Sequence, residues 1–149
     1  MSTILLVAGA VTIALTVSTL TRKAAASGRL AGGHDTEPKH HIPDVVSASD
    51  FGIPEGQWML LVFSSEKCAT CAVVVEAVSR IDMPGLAVEV IGIERMPELH
   101  ADYRIDAVPT TIVADPTGSV RKSFLGPVDL PMIRLAVSAA RSEHNSGNI

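Results

Sequence analysis

Aromatic residues are scarce in this 149-residue chain, at 3%, and cysteine occurs only twice. Two cysteines cannot staple a disulfide-dependent secreted scaffold. A formal net charge of −4, with no basic stripe and no interleaved aromatics, argues against nucleic-acid binding. Charge is missing altogether from Met1 to Thr21. All 28 Lys, Arg, Asp and Glu side chains follow that segment, where they make up about 22% of residues, close to the roughly 25% usual for soluble domains. The chain is 47% hydrophobic, too apolar for a disordered protein, and its length suits one ordinary domain. The excess of apolar residues is therefore largely the N-terminal segment.

Ile4 to Leu20 reads ILLVAGAVTIALTVSTL, with nine Ile, Leu or Val residues. As a helix rising about 1.5 Å per residue, this run and its neutral neighbours come close to the roughly 30 Å hydrocarbon core of a bilayer. Thr12, Thr16, Ser18 and Thr19 weaken the apolar drive, although their hydroxyls can bond backbone carbonyls in the helix. A cleaved signal peptide is the competing reading, with Ala24-Ala25-Ala26 as the cleavage site, but no Lys or Arg precedes the run. A buried core helix fits poorly because the run is apolar on every face. We expect an uncleaved single-pass anchor over residues 1–21. Arg22, Lys23, Arg29 and Lys39 all follow it, so the positive-inside rule places the rest of the chain in the cytoplasm, with an extracytoplasmic location as the alternative.

Residues 22–43 are rich in Ala, Gly, His, Lys and Pro without apolar periodicity, and they read as a flexible linker. From Asp44 onward 8 basic and 14 acidic side chains leave a charge of about −6. Residues 44–142 alternate strand and helix patterns, and residues 143–149 read as a disordered tail. Met59 to Ser64 (MLLVFS) suits a central strand buried on both faces. Ala72 to Ile81 puts Val74, Ala77, Val78 and Ile81 on one helical face. Leu86 to Ile93 reads as a second buried strand, and Pro97 to Tyr103 as a short helix with proline in its first turn. Thr110 to Ala114 and Val120 to Leu125 flank Asp115-Pro116-Thr117-Gly118, a tight hairpin turn. Asp129 to Arg141 reads as an amphipathic helix capped by Asp129. The order β-α-β-α-β-β-α implies an α/β fold, a mixed sheet with helices on both faces.

Cys68-Ala69-Thr70-Cys71 falls between the MLLVFS strand and the following helix. The free N–H groups and positive dipole end of a helix favour an anion, and Lys67 adds positive charge. A cysteine so placed is expected to ionise nearer neutrality than the usual value of about 8.5. The helix puts Cys71 one turn further on, where its sulfur can attack a mixed disulfide at Cys68, as dithiol–disulfide exchange requires. Two structural cysteines would need neither this spacing nor a helix start. Half of a zinc or copper site is the sharper rival. Tetrahedral zinc needs four ligands, there is no second CxxC, and His34, His40, His41, His100 and His144 are scattered.

With these features the chain resembles the thioredoxin-like family over about residues 44–142. The matching segments are WMLLVFSSEKCATC, Val108-Pro109-Thr110-Thr111, the DPTGSV hairpin, and Gly126 ahead of the last helix. The resemblance implies a thioredoxin-like fold in which the Val108-Pro109 bond is cis and Pro109 flanks the two sulfurs. It also implies that the Val108 backbone pairs with a bound peptide strand, with Ala69 and Thr70 beside it, and that the N-terminal segment is a membrane tether. There are departures. Val62 stands where thioredoxins carry a buried acid, and Ser64 and Lys67 replace aromatics before the first cysteine. Ala69-Thr70 replaces Gly-Pro. Glu66 or Glu94 could supply the missing proton route.

The expected activity is that of a membrane-anchored thiol–disulfide oxidoreductase. Cys68, Cys71 and Pro109 are its catalytic residues, and Val108, Ala69 and Thr70 contact substrate. Its partners would be protein disulfides or dithiols and an electron donor. No dissociable cofactor or metal is needed, because the cysteine pair carries the electrons. The alternative is a non-catalytic module of the same fold that holds zinc, copper or a partner protein at the membrane. A peroxide-reducing relative would have its first cysteine in a Pro- and Thr-rich loop with a nearby Arg, which is missing here.

Overall fold

A computed structural model describes residues 40–147. The expected anchor and the linker up to residue 39 lie outside the described residues. Among the described residues, no helix is long and apolar enough to cross a membrane.

The apolar run forms β1 (Trp58–Ser64), buried from Met59 onward. It is followed by α1 (Ala69–Ser79), β2 (Leu86–Gly92), α2 (Pro97–Asp102), β3 (Thr110–Ala114), β4 (Val120–Leu125) and α3 (Leu130–Ser146). A short 3-10 turn, Ala48–Phe51, precedes β1. The four strands are ordered β2-β1-β3-β4, with β1 parallel to β2 and antiparallel to β3, and β3 antiparallel to β4. The most continuously apolar strand thus takes an inner position, covered on both faces.

Strand alternation divides the core into two layers. Leu60, Val62 and Val113 face Val74 and Val78 of α1 and Ile133, Val137 and Ala140 of α3. Met59, Leu61, Phe63, Ile112 and Ala114 face the other way, against Val46, Ile53, Ile91 and Ile105. Among the described residues the short α2 and the 3-10 turn are the helical elements on this second face, and large rings fill what a longer helix would. Phe51 stacks on Tyr103 at 5.4 Å, and Phe63 meets the His100 ring edge-on at 5.1 Å. The Tyr103 hydroxyl donates to Asp50 at 2.5 Å and accepts from the Ser47 amide at 3.0 Å. Burial and the Asp50 carboxylate push this phenol up to about 12.

Three expectations need correction. α1 begins at Ala69, three residues before the expected start, because Cys68 acts as its N-cap. β2 is an edge strand whose burial is confined to Ile91 and Gly92, and Glu89 is exposed. Among the described residues it pairs with β1 on one side only, and α2 meets it at its C-terminal end, where His100 reaches the Ile91 carbonyl. Finally, α3 continues to Ser146, so residues 143–146 are helical rather than a disordered tail. Its last turns are held from outside the helix. Lys122 pairs with Glu143 at 2.9 Å, and His144 Nδ1 lies 3.4 Å from Asp115 and edge-on to Trp58.

Asp115 ties the hairpin to that helix. Its buried carboxylate accepts from the Thr117 amide (2.9 Å), the Thr117 hydroxyl (2.6 Å) and the Ser119 amide (3.2 Å). Gly118 completes the turn at φ 87°. A Cβ there would sit 2.1 Å from the Val46 carbonyl oxygen, so a side chain is excluded. The same close approach lets Val46 donate to the Gly118 carbonyl at 2.8 Å.

Burial alone would push the Asp115 carboxyl up, but the Thr117 hydroxyl, the two amides and His144 outweigh it and hold the group below its ordinary range. Its contribution is therefore complete above the unfolded value near 3.8 and is lost as pH falls through the lower folded value. Asp115→Ala should cost about 2 kcal/mol at neutral pH, since it removes the one acceptor shared by three hydrogen bonds from Thr117 and Ser119. Urea unfolding at pH 7 and pH 2.5 checks this: the gap to wild type should narrow in acid, and an equal gap at both would contradict it.

Candidate functional site

The site forms where β1 stops and α1 starts. After Ser64 the chain turns through residues 65–67, and the Cys68 amide donates back to the Ser65 carbonyl at 3.2 Å. Cys68 is extended (φ −104°, ψ 106°), as an N-cap residue should be, and its sulfur accepts from the Cys71 amide at 3.1 Å. A sulfur thus occupies the place usually taken by a serine or aspartate oxygen. Cys68 and Cys71 are joined in a disulfide with Cα atoms 5.2 Å apart.

The two sulfurs differ in access. Cys68 is half-buried, whereas Cys71 is only 1% exposed and points into the layer beneath α1. Thr70 Oγ1 lies 3.3 Å from Cys68 Sγ. Ala69 and Thr70 are exposed on the first turn. Lys67 is exposed immediately before the pair. An attacking reagent can therefore reach Cys68, and Cys71 is reached mainly from within.

The Val108-Pro109 bond is cis, and the Val108 carbonyl oxygen lies 4.0 Å from Cys68 Sγ. Pro109 is buried, and its carbonyl accepts from Gly126 at 2.8 Å. The Thr110 hydroxyl donates to the Ala107 carbonyl at 2.7 Å, so the loop is pinned on both sides of the proline. The structure thus brings Cys68, Ala69, Thr70, Cys71, Val108 and Pro109 to one end of the sheet.

A clamp unanticipated in the sequence steadies the turn before Cys68. Glu94, just beyond β2, accepts from the Ser65 hydroxyl at 2.6 Å and from the Glu66 amide at 3.1 Å through Oε1. Ser65 Oγ in turn accepts from the Lys67 amide at 3.2 Å. The Ser65 hydroxyl above all, then the Glu66 amide and Lys67, hold the exposed Glu94 carboxyl below its usual range against the opposing effect of desolvation. The signal lay in the strand register, Ser64 opposite Gly92, which sequence alone does not supply.

The histidines among the described residues do not converge. His40 lies 3.4 Å from Asp106, His144 contacts Asp115, and buried His100 directs Nε2 to the Ile91 carbonyl at 2.9 Å. Among the described residues, no group of three or more His, Cys, Asp or Glu side chains is placed to hold a metal ion.

Glu94→Ala should release the 65–67 turn without unfolding the domain. Hydrogen exchange at the Glu66 amide should accelerate in the variant. In wild type it should stay protected at neutral pH and lose protection only below the ordinary carboxylate range, because the Glu94 carboxyl is held low. Unchanged exchange at Glu66 in the variant would sink the clamp.

No protein-family profile matches the chain, and no curated protein matches it. Solved structures do. One, described as a malarial protein, is 10% identical with a TM-score of 0.52, covering 56% of this chain and 97% of that one. Thioredoxin from Fasciola hepatica is 21% identical, with a TM-score of 0.48 and coverage of 58% and 83%. StoA from Bacillus subtilis is 14% identical, with a TM-score of 0.48 and coverage of 66% and 96%. The mixed sheet, its flanking helices, the disulfide opening α1 and the cis-proline facing it together make the fold thioredoxin-like.

Proposed function

We propose that this chain is a membrane-anchored thiol–disulfide oxidoreductase acting on protein substrates through Cys68 and Cys71. One observation carries the reading. The half-buried Cys68 sulfur caps α1 and accepts the Cys71 amide, while the Val108 carbonyl of the cis-proline loop stands 4.0 Å away. Amide donors aimed at a sulfur stabilise it as a thiolate, the form that attacks.

In the reducing direction the Cys68 thiolate attacks one sulfur of a substrate disulfide. A Cys68–substrate disulfide forms, and the other substrate sulfur leaves as a thiolate. Cys71, having lost its proton, then attacks Cys68 Sγ, re-forms the intramolecular disulfide and expels the second substrate thiolate. Two electrons pass from the dithiol to the substrate, and the reverse sequence oxidises a substrate dithiol. The Val108 backbone and the exposed Ala69-Thr70 turn border the groove in which a peptide would lie, and Pro109 shapes it. An electron donor of dithiol or disulfide chemistry resets the pair.

Cys68→Ser should abolish exchange with a disulfide-bonded peptide. Cys71→Ser should accumulate a mixed disulfide visible as a mass increase. Wild-type exchange rates in both variants would defeat the reading.

The apolar segment 1–21 supports attachment to a membrane, and the basic residues after it favour a cytoplasmic domain. Deleting residues 1–21 should move the chain from the membrane to the soluble fraction of a cell lysate. In intact cells a membrane-impermeant thiol reagent should leave Cys68 unlabelled until the cells are permeabilised. Labelling beforehand would place the domain on the other side.

A further inference from the structure

Six of the described residues adopt a left-handed backbone, and five of them are glycine. The sixth is Arg104, at φ 50°, just past the end of α2. Its amide donates to the Ala101 carbonyl at 3.0 Å, and the Ile105 amide donates to the His100 carbonyl at 2.8 Å. Arg104 therefore closes the helix where glycine or asparagine is the usual residue. A Cβ is unfavourable in that backbone, and such a residue persists where its side chain has a use. Arg104 is exposed, and its guanidinium forms no ion pair or hydrogen bond among the described residues.

A cavity of about 520 Å³ lies beside it, lined by Arg104, His41 and Asp106 together with apolar Ile93, Pro97 and Ile105. The segment that carries His41 is fixed at both ends. Val46 donates to the Gly118 carbonyl and Val120 to the Asp44 carbonyl, each at 2.8 Å, and His40 Nδ1 lies 3.4 Å from Asp106. That last contact engages the one carboxylate in the lining among the described residues and leaves Arg104 without a partner. The cavity adjoins the proposed peptide groove. Ile105 precedes Val108 by three residues, no more than about 11 Å of chain. On the other side Gly92, next to Ile93, borders a smaller cavity that also reaches Cys68.

We propose that this cavity selects protein substrates carrying a Glu or Asp about three residues from the reacting cysteine. The substrate carboxylate pairs with Arg104, and its methylene stem lies against Ile93 and Ile105. The proposal rests on the exchange reading above and names a substrate class for it. Three residues of extended strand span about 10 Å, which matches the reach from Val108 to Ile105. From Asp44 onward the chain carries about −6, so most of its surface repels an acidic peptide. An unpaired cation beside the groove then fixes where such a peptide can settle. The ion pair acts on capture, before any bond to sulfur changes.

The test uses the full-length chain in detergent and fluorescent disulfide peptides that differ only in Glu or Gln, placed three residues before or after the cysteine. At low salt the Glu peptide of one placement should be exchanged about fivefold faster than its Gln twin, the scale of a good surface ion pair. The advantage should shrink towards unity at about 0.5 M salt, where screening is short-ranged. Arg104→Gly should bring the ratio of the two rates to about one while Tm holds or rises, because glycine suits the left-handed backbone. Arg104→Glu should reverse the choice and favour a peptide with Lys in that place. Equal rates for Glu and Gln peptides with wild type in both placements, or a preference that survives Arg104→Gly, would overturn the proposal and leave the exchange reading intact. A preference lost only together with a fall in Tm would assign Arg104 to the fold and overturn it as well. If wild type exchanges none of the peptides, the exchange reading fails, and the proposal with it.

Discussion

The hydrogen bond from the Cys71 amide to the Cys68 sulfur fixes where β1 ends and α1 begins, and much of the molecule is arranged around that junction. A helix start needs an acceptor for its free amides. Here the acceptor is also the sulfur proposed to attack substrate, so the device that begins the helix would also tune the chemistry. For the cap to hold still, β1 must be an inner strand, α1 must be seated by Val74 and Val78, and the turn before it must be tied down. Glu94 does the tying from just beyond the neighbouring strand, through hydrogen bonds from the Ser65 hydroxyl and the Glu66 amide.

The two faces of the sheet solve the burial problem differently. Under α1 and α3 the core is built of Leu, Val and Ile on long helices. On the opposite face a six-residue helix and a 3-10 turn would leave apolar strand surface in water. Phe51, Phe63 and Tyr103 close that gap, with Tyr103 keeping its hydroxyl bonded to Asp50 and Ser47. A chain with few aromatics has placed three of them together there, since an aromatic side chain covers 150–250 Å².

What the sequence made legible was mostly local. The bounds of β3 and β4 follow from Asp115-Pro116-Thr117-Gly118, whose turn chemistry is carried by the residues themselves. The CxxC spacing and its place after an apolar strand identified Cys68 and Cys71, and the resemblance picked out Val108-Pro109. The misreadings share a cause. The start of α1 depends on a sulfur acting as a cap, which composition does not advertise. The edge position of β2 depends on its having β1 on one side only. The last turns of α3 depend on Lys122 and Asp115, more than twenty residues away in sequence. The clamp depends on the pairing of Ser64 with Gly92, a parallel register that no short motif encodes.

The unequal burial of the two sulfurs gives the reduced protein a built-in timer. Once the disulfide opens, a small alkylating reagent in bulk solvent would meet two thiols three residues apart in very different surroundings. The outer one would be consumed at a rate set by its own nucleophilicity. The inner one would wait for the first turn of α1 to lift from the sheet. The interval between the first and second equivalents of reagent taken up would therefore measure how often that helix end opens, in a protein carrying no added probe.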